Sequence, residues 1–139
     1  MSYYPQKYWN SHSQGLPDGG FSRFYSYNSG QDHYRLLNYI SHCMEDQVLL
    51  DIGTFNGWSS IAMGSNKQNR VVSFDVFQQE CVRSINEPNI IFRVENILEN
   101  EYNNQLILQS PFIFLDTYHD GIFEQQFVQR LLNIALLMR

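Results

Sequence analysis

The sequence contains few basic residues and no cluster of them. Its 139 residues include 9 Lys and Arg against 14 Asp and Glu, which gives a formal net charge of −5. Proteins that bind a nucleic-acid backbone neutralise its phosphates with clustered lysine and arginine side chains. The composition therefore argues against nucleic acid as the main partner, and it leaves a small molecule or a glycan open as the substrate.

The sequence also has only two cysteines and no long apolar run. Cys43 and Cys81 form no C-x-x-C pair, so we expect them to be buried, reduced thiols. No apolar run approaches the roughly 20 residues of a membrane-spanning helix. The N-terminus shows no basic segment followed by an apolar one, which a secretory signal would need. These absences predict a cytoplasmic protein with no membrane partner.

The residues that are present suffice for one folded domain preceded by an unusual segment. Hydrophobic residues make up 43% of the chain and charged residues 17%, a composition typical of globular proteins. Residues 1–30 carry many aromatics among Gly, Ser, Pro and Asn, without a helical or strand period. We expect this segment to be an arm packed on the domain surface, or alternatively a lid over the substrate site. Residues 31–139 form the predicted domain.

Strand and helix signals alternate along that domain. Short apolar runs predict strands over 48–51, 70–75, 90–94 and 112–115. Helices are predicted over 31–44, from Trp58 onward, over 77–85 and from 122 to the end. Alternating strands and helices favour an α/β fold, a Rossmann-like three-layer sandwich with a mostly parallel sheet. The last helix has a predicted core face of Phe123, Phe127, Val128, Leu131, Leu132, Ala135 and Leu136.

The first strand leads into a glycine turn with the pattern D-x-G-x-x-x-G. Asp51 ends the strand, Gly53 leaves room for a ligand on the turn, and Gly57 allows the next helix to pack closely on the strand. The turn lacks the G-x-G-x-x-G of dinucleotide enzymes and the lysine of phosphate loops. Asp75 follows Gly53 by 22 residues, by subtraction of their numbers. At this spacing a βαβ unit places the carboxylate that binds a ribose diol.

These features, with the later run F-I-F-L-D-T-Y-H-D-G over 112–121, resemble the class I S-adenosylmethionine-dependent methyltransferases. The resemblance covers about residues 31–139 and is nearest to small members with a D-x-x-H turn after strand four. It implies methyl transfer from S-adenosylmethionine to a hydroxyl of a small molecule or glycan. It also implies a set of cofactor contacts: Asp51, Gly53, Thr54, Phe55, Asn56, Gly57, Asp75 and Asn96.

The resemblance assigns a role to each of these contacts. Asp51 meets the ligand's amino group or the loop backbone, residues 53–57 wrap the methionine part, and Asp75 holds the ribose hydroxyls. Asn96 contacts the adenine amino group, although Glu95 replaces the glycine that usually precedes it.

Two further residues are implied as catalytic. His119 is the candidate base, because an ordinary histidine titrates at about pH 6.5. Asp116 lies at the carboxyl end of strand four, where α/β sheets bind ligands. No metal is expected, because Asp116 and His119 alone supply too few ligands.

Other interpretations of the same residues remain open. Asn96 suits the cap of the following turn, and His119 with Asp120 suits the cap of the last helix. The chain is then a non-catalytic S-adenosylmethionine or nucleotide-binding module, or an assembly protein that uses the aromatic arm. The family has seven strands and this chain has four, so we expect a C-terminally shortened version of the fold. Strand four would be an uncovered edge that favours self-association, unless the arm covers it.

Overall fold

The computed structural model describes residues 31–138, with side chains from His33 onward. The predicted aromatic arm, residues 1–30, lies outside the described residues. The strands are β1 (Val48–Ile52), β2 (Arg70–Asp75), β3 (Ile90–Val94) and β4 (Phe112–Leu115). The helices are α1 (Gln31–His42), α2 (Trp58–Met63), α3 (Glu80–Arg83), α4 (Asn103–Gln109) and α5 (Ile122–Leu137).

The four strands form a parallel sheet in the order β3-β2-β1-β4. At the centre, Leu50 of β1 lies opposite Val72 of β2 on one side and Ile113 of β4 on the other. The chain moves outward from β1 to β3 and then returns to place β4 on the opposite side of β1. This reversal makes the carboxyl ends of β1 and β4 the switch point at which such sheets bind ligands. The predicted α/β, Rossmann-like class is confirmed.

Side chains of the central strands alternate between two cores, one on each face of the sheet. Leu49 and Val71 face α1 and α2, where Met63 is also buried. Leu50 and Val72 face α4 and α5. Full burial of one such aliphatic side chain contributes about 1.5–3 kcal/mol, so the two cores together hold the helices on both faces. The result is the predicted three-layer arrangement.

The strand predictions agree with the structure to within one residue, and the helix predictions agree less well. The helix predicted over 77–85 is only α3, a single turn. Helix α4 was not predicted, because Leu106, Ile107 and Leu108 are consecutive and show no helical period. Its start is fixed instead by the buried Asn103, whose side-chain amide donates to the Ile97 carbonyl at 3.1 Å.

Two burial predictions were wrong. Cys43 and Cys81 are free thiols as expected, but both are exposed, one just beyond α1 and one on α3. Helix α5 buries Phe127 and Ile134, and Ile134 was not on its predicted core face. The other half of that predicted face is exposed and is called the outer stripe here: Val128, Leu132, Ala135 and Leu136.

The orientation of α5 explains the outer stripe. Arg130 donates to the Asn104 side chain on α4 at 2.7 Å and to the Leu98 carbonyl, so this flank of α5 faces α4. At about 100° per residue, Val128 and Leu132 lie roughly 160° around the axis from Arg130. The outer stripe therefore faces away from α4. Within residues 31–138, β4 pairs with β1 alone, so its outer edge has no strand partner there.

None of the helices in this part of the chain is both long enough and apolar enough to cross a bilayer.

Candidate functional site

A cavity of about 500 Å³ opens at the carboxyl ends of the strands, beside the switch point between β1 and β4. This size is typical of small-molecule sites. Among the predicted site residues, all but Asp51 and Gly57 line it: Gly53, Thr54, Phe55, Asn56, Asp75, Asn96, Asp116 and His119. The sequence-predicted residues therefore come together around one space.

The glycine turn has an unusual backbone that the neighbouring strands require. Gly53, Phe55 and Gly57 all have left-handed φ angles, 102°, 44° and 82°. A Cβ atom on Gly53 would lie 1.9 Å from the backbone oxygen of Asp116, and one on Gly57 would lie 2.6 Å from the Ile85 side chain. Gly53 therefore leaves room for the end of β4 and also lines the cavity, and its ligand contact stays a prediction. Gly57 leaves room for Ile85 and for Phe92 of β3, in keeping with the predicted close packing on a strand.

Asp75 holds this turn in position from the end of β2. Its Oδ2 accepts a hydrogen bond from the Phe55 N–H at 2.9 Å, and its Oδ1 accepts one from the Phe77 N–H at 3.3 Å. The left-handed backbone conformation costs a non-glycine residue such as Phe55 about 1–2 kcal/mol. The hydrogen bond from the Phe55 N–H to the charged Asp75 carboxylate offsets part of this cost. A carboxylate has about four lone-pair sites. Asp75 can therefore anchor the turn and still accept hydrogen bonds from a ligand.

Asp51 lies beneath the cavity and does not line it. The carboxylate is fully buried and accepts hydrogen bonds from three hydroxyls, those of Ser60, Ser59 at 2.8 Å and Ser73 at 3.1 Å. Burial raises the pKa of Asp51 from 3.8 to about 6, the three serines oppose that rise, and Asp116 adds to it. The structure thus shows Asp51 in a buried serine cluster, and its contact with the ligand's amino group or the loop backbone stays a prediction.

The side chains of His119 and Asp116 are in contact at the mouth of the cavity. His119 Nε2 lies 2.8 Å from Asp116 Oδ1, and the histidine side chain is 75% exposed. At the start of α5, Asp120 Oδ1 accepts the Ile122 N–H at 2.9 Å, and the N-cap residue is Gly121. The His119 ring is thus paired with Asp116, and of the capping alternative for this turn the structure shows the Asp120 contact.

The position of Asn96 is compatible with both of its predicted roles, a cap of the following turn and a ligand contact. Its side-chain oxygen accepts the Leu98 N–H at 3.0 Å, which is the capping role, and the residue also lines the cavity. Beside it, Glu95 accepts hydrogen bonds from the Tyr102 hydroxyl at 2.7 Å and from Asn100 at 3.3 Å. Glu95 is therefore tied into the wall next to Asn96.

The wall is acidic and aromatic. Asp75, Glu95 and Asp116 line it, and among the described residues neither Lys nor Arg does. Sequence reasoning missed Tyr34, which reaches the wall from α1. Burial first, then the charges of Asp116 and Asp51, raise the pKa of its hydroxyl. No motif marks this tyrosine, because its contact depends on how α1 packs against the sheet. Three exposed aromatic side chains form the rim of the cavity: Phe55, Phe77 and Tyr118.

Over residues 31–138, no group of three or more His, Cys, Asp or Glu side chains is arranged to hold a metal ion.

No protein-family model matches this chain, and a search of curated proteins finds no match to its sequence. We therefore infer function from the cavity and its residues.

Proposed function

We propose that this chain binds S-adenosylmethionine in the cavity and transfers the methyl group to a hydroxyl of a small molecule or glycan. The observation that carries the proposal is the position of Asp75, at the end of β2 and on the wall of a cavity at the switch point. Rossmann-like sheets place the acid that binds a ribose diol at this point. The sulfonium of the cofactor supplies an already activated methyl group, so the protein mainly has to align the acceptor and remove a proton.

The charge of the wall supports this ligand over a dinucleotide. S-adenosylmethionine carries a sulfonium, an ammonium and one carboxylate, so its net charge is positive and is favoured near Asp75, Glu95 and Asp116. The pyrophosphate of a dinucleotide would face the same carboxylates. Arg93, which does not line the wall, lies 3.7 Å from Glu95 and offsets part of that one carboxylate's charge. Electrostatics therefore favour a cationic ligand.

In this proposal, cofactor binding and proton removal are assigned to different residues. Asp75 would accept hydrogen bonds from the ribose hydroxyls, and Asn96 would meet the adenine. His119 would take the proton from the acceptor hydroxyl. Because Nε2 faces Asp116, Nδ1 is the nitrogen left to receive that proton. Asp116 would then hold the ring orientation and stabilise the imidazolium, as a carboxylate beside a general-base histidine does.

A second candidate is a binding module without catalysis. The exposure of His119 favours it, because a base that is 75% exposed at an open mouth is not shielded from water. Both candidates share the cofactor site and differ only in whether methyl transfer follows.

Calorimetry with S-adenosylmethionine and with NAD at pH 7.5 tests the cofactor site. We expect S-adenosylmethionine to bind and NAD to bind far more weakly. Asp75→Asn, which keeps an acceptor for the Phe55 N–H, should weaken binding by roughly 10–150-fold, the range for a hydrogen bond to a charged group. Glu101→Ala, at an exposed acid away from the cavity, is the matched control. Absence of S-adenosylmethionine binding by the unchanged protein would refute the proposal.

Methyl transfer to a panel of hydroxyl acceptors separates the two candidates. If the chain is an enzyme, His119→Gln should lower turnover by about 10²–10⁴ with little change in cofactor affinity. Tight cofactor binding without transfer to any acceptor supports the binding module.

A further inference from the structure

A chain of hydroxyl groups connects the buried Asp51 to the wall of the cavity. Ser73 Oγ lies 3.1 Å from Asp51 Oδ2, and Thr54 Oγ1 lies 2.6 Å from Ser73 Oγ. Asp51 is completely buried, whereas Thr54 lines the cavity. The sheet register creates the first link, because Asp51 of β1 lies directly opposite Ser73 of β2.

The direction of this chain follows from the number of hydrogens. A hydroxyl has one hydrogen to donate, and an ionised carboxylate can only accept. With Asp51 ionised, the Ser73 hydrogen points to Asp51, so the Ser73 oxygen accepts the Thr54 hydrogen. Thr54 Oγ1 then has only lone pairs left for a further hydrogen bond. A proton on Asp51 removes this constraint, because the carboxyl group can then donate.

We propose that Asp51 is a positioning residue that acts through Ser73 to fix Thr54 as a hydrogen-bond acceptor, and thereby selects an N–H donor of the ligand, such as an ammonium group. Only the identity of that ligand rests on the proposed function; the hydroxyl relay itself (Asp51, Ser73 and Thr54) does not.

The surroundings of Asp51 set the pH at which the relay changes. Helix α2 faces it with the hydroxyls of Ser59 and Ser60, β4 brings the like charge of Asp116, and α1 brings the Tyr34 hydroxyl. Burial dominates and places the pKa of Asp51 at about 6. The relay should therefore be fixed above this pH and released below it. A cationic ligand would favour the ionised form and extend the fixed range to lower pH.

Threonine-selective NMR of the ligand-free protein tests the relay directly. The sequence contains two threonines, Thr54 and Thr117, so [¹³C]methyl-threonine labelling gives two signals, which Thr54→Val assigns. We expect the Thr54 methyl signal to shift with a midpoint at about pH 6. A Thr54 signal that does not change through this range would overturn the relay.

Two serine variants provide a matched comparison. Ser73→Ala interrupts the relay and leaves Asp51 in place, so the Thr54 titration should disappear. Ser60→Ala removes another hydroxyl from the same carboxylate without touching the relay, so the titration should remain. Asp51→Asn should abolish it. Persistence of the titration in Asp51→Asn or Ser73→Ala would assign it to a different group and overturn the proposal.

Ligand affinity tests the selection of an N–H donor. At pH 5 only about a tenth of Asp51 is ionised if its pKa is about 6. S-adenosylmethionine should therefore bind about tenfold more weakly at pH 5 than at pH 7.5, and this difference should vanish in Ser73→Ala. 5′-Methylthioadenosine, which lacks the ammonium, should show no such difference. An equal pH dependence for both compounds would overturn the donor selection. Failure of S-adenosylmethionine to bind at all would overturn the ligand assignment and leave the NMR result to decide the relay.

Discussion

Replacing Asp51 by asparagine should change how the stability of this protein depends on pH. Burial raises the pKa of Asp51 from 3.8 to about 6, against the opposing effect of its serine partners. An acid with a higher pKa in the folded state than in the unfolded state binds its proton more tightly when folded. Its stabilising contribution is therefore fully present below about pH 3.8 and is lost as the pH rises through about 6.

The pKa values set the size of the effect. At about 1.36 kcal/mol for each pH unit, the full contribution of Asp51 is roughly 3 kcal/mol. Between pH 5 and pH 7.5 the linkage relation gives a loss of about 1.4 kcal/mol in the free energy of unfolding. The asparagine of the Asp51→Asn variant has no proton to release, so the variant should lack this loss. The side-chain amide of this asparagine keeps an acceptor oxygen for the serine hydroxyls. It also adds N–H donors, and a serine hydroxyl can rotate so that its oxygen accepts a hydrogen bond from one of them.

Urea unfolding at the two pH values, followed by circular dichroism, measures this difference. The informative quantity is the change in unfolding free energy between pH 5 and 7.5, compared between the unchanged protein and Asp51→Asn. This comparison cancels every other titrating group. Glu101→Gln, at an exposed acid, should behave like the unchanged protein. If Asp51→Asn retains the full pH dependence, the burial of Asp51 does not raise its pKa and the reasoning is refuted.

Two further predictions concern the glycine turn and α5. Gly53→Ala should destabilise the fold by roughly 2–4 kcal/mol, from overpacking against Asp116 together with backbone strain. Gly121→Ala, at φ 79° with open space around its Cβ position, should lose only about 1 kcal/mol, and equal losses would contradict the close approach. We also propose that two copies of this chain associate through the outer stripe and the β4 edge, since the stripe carries no charge that would repel its own copy. Sedimentation velocity should show association at micromolar concentration that Leu132→Glu weakens and Gln126→Glu, on the opposite flank, does not; a monomeric unchanged protein would contradict it.

The strands and the cavity residues could be predicted because their signals are local. Buried parallel strands are continuous apolar runs, and the strand ends carry the polar residues of the site. The spacing from Gly53 to Asp75 therefore placed two walls of one cavity correctly. The mostly parallel sheet with helices on both faces followed from the alternation of strands and helices.

Partners that meet only through the sheet register were not predictable in this way. Ser59, Ser60 and Ser73 are ordinary polar residues in the sequence, and only the pairing of β1 with β2 and the packing of α2 bring them to Asp51. The prediction of the buried face of α5 failed for a similar reason. This helix carries apolar residues around most of its circumference, so periodicity alone could not identify the core side. The contact of Arg130 with α4 decides it.

The contact between Gly53 and Asp116 joins the two halves of the cavity. The Gly53 N–H donates to the Phe74 carbonyl and the Asp116 N–H donates to the Ile52 carbonyl, both at 2.9 Å, so the ends of β2, β1 and β4 are held together. Neither the turn nor the start of the His119 loop can shift without displacing the other. A substitution in the glycine turn and one in the loop after β4 therefore change the same wall. Their effects on the free energy of unfolding will not be additive. The residues of the glycine turn and those that follow β4 form a single energetic unit.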